Sequence, residues 1–204
     1  MTQLECINAA FDELGEKPID SIASTQDRAL VALRQWPRSL RMFLRELPWN
    51  WARKLDELDP ASPVPDFGWS YRYELPTDFI TLTKLNETII ERPSDWWEIV
   101  GTDLHTDVDE AKIEYVHYPT DTALDTFLAG MDPKAQDAFI VLLAAKMAPA
   151  ITRDSRDMAV SLLQQYQVAL ADARCRAANQ RKSYDREQSS ESRFVNARYG
   201  DIQG

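Results

Sequence analysis

Residues 138–151, AFIVLLAAKMAPAI, are apolar on every side of a helix, broken only by Lys146 and Pro149. Such a helix gains nothing by facing water and belongs at the centre of a bundle, with other elements on all sides. At about 14 residues it is shorter than the roughly 20 that span a bilayer, so its surroundings are protein. Asp132-Pro133 marks where it begins, the aspartate placed to cap and the proline suited to the first helical position.

The text before it supplies helices that could pack on it. Thr2 and Glu5 have the spacing of a capping box, and Leu4, Ile7, Phe11 and Leu14 form one stripe before Gly15 and Pro18 end the element. A second helix restarts at Ser24–Asp27 and runs to Pro48, with Leu30, Leu33, Leu40, Leu44 and Leu47 along its apolar face. Pro37 lies inside it and is expected to kink or divide it. Arg34, Arg38, Arg41 and Arg45 form a basic stripe beside the leucines. That stripe can be solvated, contact phosphate, or meet a neighbouring subunit. Trp49 and Trp51 then flank Asn50, as aromatics that plug the end of a core do, with an acceptor expected for the indole N–H.

Three prolines in Asp59–Pro65 break the pattern, and the period changes from helix to strand. Trp69–Leu75 alternates apolar and polar, Phe79–Leu85 resumes after a Pro76-Thr77-Asp78 turn, and Trp97–Val100 turns at Gly101 into 104–106. Lys112–Tyr118 alternates again, with Ile113, Tyr115 and His117 candidates for one face. Short hairpins of this kind predict one antiparallel sheet of four or five strands.

After the central helix, Asp154 is placed to cap a last helix to about Lys182, its inner face Met158, Leu162, Tyr166, Ala169, Ala173 and Ala177. The alanines would admit a second helix closely. At roughly 42 Å this helix outreaches a small domain, so its far end is expected at another subunit. Residues 183–204 are polar and without period, yet Phe194, Val195 and Tyr199 alternate with Arg193 and Arg198. They read as a loose terminus or as a peptide ordered by a partner. The fold expected is α+β, mainly α. An antiparallel bundle of about four helices (1–58 and 127–182) carries a small antiparallel β-rich insertion (59–126) and ends in an extended C-terminal arm (183–204).

Charge divides along the same lines. Residues 1–58 hold 8 basic and 9 acidic side chains, residues 59–126 hold 4 and 15, and residues 127–204 hold 11 and 9, so the net −10 arises in the β-rich segment. That segment repels nucleic acid, and reads as a solvated surface or as a wall past which DNA slides. Cys6 and Cys175, each in helical text, are expected as reduced, buried thiols. His105 and His117 lack ligand-spaced partners, so no metal and no cofactor are expected. No apolar run reaches the length of a membrane span, and the N-terminus lacks the pattern of a signal peptide.

Nucleophile-elbow, Cys-x-x-Cys and phosphate-cradling glycine motifs are missing, and carboxylate pairs such as Asp56-Glu57 or Asp109-Glu110 are what an acidic surface provides by chance. Enzymatic activity is not expected.

Six strings, in order, resemble the tail tubular protein A family, the head-to-tail adaptors of short-tailed phages. They are Leu14-Gly15 with Pro18-Ile19 and Ile22, and Leu47-Pro48-Trp49-Asn50-Trp51-Ala52-Arg53. Next come Trp69, Tyr71, Tyr73, Leu75-Pro76, Asp78 and Phe79, followed by Tyr115 and Tyr118. The last two are Ala144, Ala145, Met147, Ala148, Pro149 and Ile151, and the closing Ser190, Ser192, Arg193, Phe194, Ala197 and Arg198. The chain departs from the pattern at Arg193-Phe194, where the family often has Trp-Leu.

The resemblance covers essentially the whole chain. It implies a virion structural protein of the tail neck, synthesised in the host cytoplasm and assembled as a dodecameric ring. The ring's partners would be the portal protein and a tail nozzle protein of the tubular protein B type. Double-stranded DNA would pass through its lumen, and no membrane is involved. The same resemblance implies a portal interface at Arg193, Phe194, Val195, Arg198 and Tyr199. A subunit interface is expected at Arg34, Arg38, Arg41, Arg45, Ala169, Ala173 and Ala177. Two other readings are a stand-alone helical regulatory or nucleic-acid-binding module using the α-helical arginines, and a tail-associated glycan hydrolase.

Overall fold

The computed structural model describes residues 1–63, 65, 68–86, 88–89, 96–152 and 155–199, with side chains outside 88–89, 155 and 180–199. The chain is a mixed α and β protein, about 52% helical, with five α-helices and two small antiparallel sheets among the described residues. The helices are α1 (Gln3–Glu13), α2 (Asp27–Glu46), α3 (Leu124–Ala129), α4 (Pro133–Ile151) and α5 (Ser155–Tyr199). The strands are β1 (Arg53–Leu58), β2 (Tyr71–Glu74), β3 (Phe79–Leu85), β4 (Thr88–Ile89), β5 (Trp97–Val100), β6 (Asp103–Thr106) and β7 (Ala111–His117).

Helix α4 is the hub, packed against α1, α2 and α5. Its start is set by Asp132, whose carboxylate accepts from the Lys134 N–H at 3.0 Å and also holds Arg176 of α5 at 2.7 Å. Ten of its residues, from Ala135 to Ala148, are buried, as all-round apolarity requires. Helix α1 carries the expected capping box, Thr2 with Glu5. It closes with the Glu16 N–H on Phe11 O and the Gly15 N–H on Asp12 O, Gly15 standing at φ +68°. That is a Schellman ending, open to glycine because no Cβ opposes the left-handed backbone. Asn8 then brackets Ile19 with bonds to both its backbone groups, so the chain turns back onto the core.

Pro37 does not divide α2, which is continuous from Asp27 to Glu46. The buried face of this helix is also rotated from the leucine stripe: Ala29, Ala32, Trp36, Leu40, Phe43 and Leu44 point inward, while Leu30 is 52% exposed. Trp36 and Phe43, one heptad apart, bury more surface than the leucines they displace, and so decide the rotation. The expected cap at Ser24–Asp27 is not made by a side chain on the first turn, since the capping position falls at Gln26.

The single sheet expected from the hairpin spacing is two. One has the order β1-β7-β3-β4 and the other β2-β6-β5. The first is the middle layer. Ile80 and Val116 join the helical core, whereas Leu82, Leu85, Ala111, Ile113 and Tyr115 join Tyr73 and Leu104 of the second sheet in a separate core. His117 leaves the Ile113 and Tyr115 face and stands edge-on to Phe127 of α3 at 5.2 Å. The boundary expected at residue 59 also moves upstream, because Arg53–Leu58 is strand β1, paired along its whole length with β7. Its text, RKLDEL, shows no clean alternation because four of its residues are exposed at a sheet edge.

The extended C-terminal arm is corrected too. Helix α5 continues through 183–199, where the sequence holds neither Gly nor Pro. A helix once nucleated adds residues one at a time without a new nucleation cost. Loss of apolar period speaks to packing and not to backbone. The expected Asp154 cap and residues 200–204 lie outside the described residues. Cys6 is buried and its thiol pKa is pushed up to about 12 by burial, while Cys175, expected inside, is exposed; both are free. Residue 175 lies off the α5 face formed by Leu162, Tyr166, Leu170 and Ala173.

Tyr166 carries a stability prediction. Its ring is 1% exposed and its hydroxyl finds no hydrogen-bond partner among the described residues. Burial raises its pKa, and nearby Glu46 adds to that. Tyr166→Phe removes an unsatisfied buried hydroxyl at constant shape and is expected to leave stability unchanged or raise it by about 1 kcal/mol. Thermal unfolding reads the change. A clear fall in midpoint would show that the hydroxyl is bonded in solution.

Candidate interaction surfaces

The basic stripe is on the outside of α2: Arg34, Arg38, Arg41 and Arg45 are all exposed. Among the described residues no carboxylate pairs with any of the four. Arg41 instead lies over the Tyr118 ring, 4.4 Å from its centroid, a cation–π contact that fixes the middle of the stripe. Arg38, Arg41 and Arg45 line an open groove of about 680 Å³ with Pro37, Met42 and Glu46.

The alanine stripe is not outside. Ala173 is 3% exposed within the helical core and Ala169 packs against that core. Ala173 and Ala177 face Trp49, Trp51 and Ala135 across a crevice of about 10 Å³, at the lower bound for a single water. The small residues expected at a subunit contact therefore admit this chain's own tryptophans. Spacing alone cannot tell those two uses apart.

Beyond Ala173 no residue of α5 belongs to the helical core among the described residues. Arg174 with Glu46 and Arg176 with Asp132 tie α5 to α2 and to the start of α4. The helix then runs on to Tyr199. From Ala177 to Tyr199 that is about 33 Å of helix. The side chains of Arg193, Phe194, Val195, Arg198 and Tyr199 lie outside the described residues.

Polar groups concentrate where the first sheet meets the helices, and sequence reasoning did not single them out. Asp78 accepts from Lys54 at 2.6 Å and from the Tyr115 hydroxyl at 3.0 Å. Glu114 meets Arg53 and, at 3.3 Å, Lys84. His117 Nδ1 is 2.8 Å from the Ala52 carbonyl oxygen, to which it donates when protonated there. Each link joins strands of the first sheet, or the turns at their ends, to one another, so the cluster acts as a clamp across β1, β7 and β3. The only signal in the sequence is a charged or polar residue at alternate positions of β7.

The clamp makes folding pH-dependent. Burial lowers the His117 pKa below 6.5; the Ala52 carbonyl opposes this and Lys54 adds to it. The unfolded chain therefore takes up a proton that the folded one resists, and stability is lost as pH falls from 6.5 toward the folded value. Asp78 follows at lower pH. Burial alone would raise its pKa, but the bonds from Lys54 and Tyr115 leave it below 3.8. Its contribution is present above 3.8 and lost as pH falls through the folded value. His117→Gln is expected to flatten the first of these two steps and leave the second. Urea midpoints measured across pH 6.5 decide it, and an unchanged slope would remove His117 as the cause.

No group of three metal-ligating side chains occurs among the described residues, and no helix there is long and apolar enough to cross a membrane. No protein-family model matches the chain, and no curated protein matches it.

Proposed function

We propose that this protein is a virion structural protein, the head-to-tail adaptor of a short-tailed phage, without a catalytic site. In this reading α1, α2, α4 and α5 act as an antiparallel four-helix bundle carrying the β-layers. Twelve copies form a ring in the tail neck, between the portal protein and the nozzle, and DNA passes through the lumen during ejection. The resemblance of six ordered strings to the tail tubular protein A family supports it. The observation that carries it furthest is the length of α5, a 45-residue helix whose core contacts, among the described residues, reach no further than Ala173.

A helical segment with aromatic side chains that continues past its own domain gains packing for them from another molecule. Arg193, Phe194, Val195, Arg198 and Tyr199, near the end of that helix, combine aromatic area with cationic reach, the composition of interface anchors. The acidic 59–126 segment suits a rim along which DNA moves without being held. A second reading, a nucleic-acid-binding module, draws on the exposed α2 arginines, but the net charge of −10 opposes it.

Removal of residues 183–204 separates fold from function. Because the helical core, among the described residues, ends upstream, stability is expected to change by less than about 0.5 kcal/mol, while binding to the portal ring is lost. Sedimentation of the intact and shortened chains with purified portal protein reads this directly. Equal portal binding by both, or none by the intact chain, would overturn the reading.

A further inference from the structure

We propose that copies of this chain join head to tail, the arginine face of α2 on one copy seating on the acidic β1 edge of the next. The contact rests on the ring reading for the number of copies and supplies the two surfaces that meet.

The first surface is α2. Its four exposed arginines extend over about 16 Å of helix, flanked by Leu30 at 52% and Met42 at 37% exposure. Cations with no carboxylate partner among the described residues, set beside exposed apolar side chains, combine charge with apolar area as interfaces do.

The second surface is the free edge of the first sheet. Among the described residues strand β1 is bonded only to β7, and its Leu55 is 81% exposed, the most exposed large apolar residue described. Asp56, Glu57 and Asp59 surround it, and Asp109 and Glu110 join them, because Leu58 pairs with Ala111 and so brings the 109–110 turn alongside. Among the described residues, only Glu57 of these five carboxylates has a cation near, Lys112 at 3.9 Å. The charges on β1 also discourage simple strand addition, so the edge is suited to a side-chain contact.

One copy cannot satisfy both surfaces. Arg41 is anchored on Tyr118, just past the end of β7, whereas Asp109 and Glu110 precede its start. Eight extended residues, about 26 Å, separate Glu110 from Tyr118. Complementary patches at different places on one chain make a heterologous contact, which repeats from copy to copy and forms a ring where its rotation closes, as the ring reading requires. The same arginine spacing could meet a phosphodiester backbone. However, residues 59–126, with 4 basic and 15 acidic side chains, repel a polyanion and attract the arginine face of another copy.

The test is sedimentation of the intact chain at low and high salt, with two charge-reversed variants at exposed positions. Self-association is expected at low salt and should weaken as salt rises. Arg38→Glu with Arg45→Glu, and separately Asp56→Lys with Asp109→Lys, are each expected to weaken it about tenfold or more. Circular dichroism establishes that each variant is folded. Mixing the two variants should restore assembly, because each then offers the charge the other lacks. If either variant assembles as the native chain does, this contact is wrong while the ring reading stands. If the native chain assembles neither alone nor on portal protein, both fall. Binding of duplex DNA that is lost with the arginines, while self-association is untouched, would assign the stripe to nucleic acid and overturn the proposal.

Discussion

Trp49→Ala is expected to cost about 3–5 kcal/mol of folding stability, the largest effect of any single substitution discussed above. Trp49 is 2% exposed and stacks on Phe43 at 4.7 Å between ring centroids. Phe43 in turn meets Phe139 of α4 at 5.5 Å, and Phe139 meets Trp36 edge-on at 5.2 Å. On its other side Trp49 meets Trp51 at 5.8 Å, so the ring at 49 is an inner link of a continuous aromatic row through the helical core. Its indole N–H also donates to Phe43 O at 3.0 Å. That carbonyl is in the last turn of α2, where no intrahelical donor remains, so the tryptophan closes the helix as well as packing on it. Alanine removes the packing, opens a cavity and leaves the carbonyl unpaired. Urea unfolding measures the loss. A cost under about 1 kcal/mol would show that the 49–52 turn collapses into the space without penalty.

Glu114→Ala should follow, at about 2–3 kcal/mol. Glu114 lies on the central strand β7 with a cation supplied from each side, Arg53 of β1 and Lys84 of β3, and its side chain is 12% exposed. Removing it strands two positive groups that are 25% and 32% exposed. Water reaches those cations in part, which places the cost below that of breaking a wholly buried pair. Glu114→Gln keeps the shape and one of the two acceptor oxygens, so one cation stays bonded, and it should cost roughly half as much. A Glu114→Ala chain as stable as the native one would reduce the clamp to a surface decoration. Neither substitution touches the outer face of α2, so both should leave self-association unchanged in folded protein.

The structure changes how the proposed assembly is understood. The small-residue stripe of α5 was the natural place to look for a neighbouring subunit, yet Trp49 and Trp51 already fill it. What remains for a neighbour is polar at both ends: arginines on α2 and carboxylates at the β1 edge. An interface of that kind is steered and tuned by charge more than by area, so its assembly should respond to salt.

Several elements were legible because the physics behind them is local. The Thr2–Glu5 capping box, the Asp132-Pro133 start and the alternation in β7 as far as Tyr115 each depend on residues within a turn or two, and these are in place. The hub position of α4 follows from its apolar sides alone. Other features were decided only by tertiary contacts. Arg53–Leu58 becomes a strand because β7 offers it a hydrogen-bonding edge, sixty residues away in sequence. The buried face of α2 is set by where Trp36 and Phe43 find Phe139, which no count of leucines reveals. Whether an alanine stripe meets its own chain or another depends on which large side chain arrives first. Periodicity and capping record energies between near neighbours. Pairing, facing and partnership record energies between residues whose meeting the chain has to close long loops to achieve.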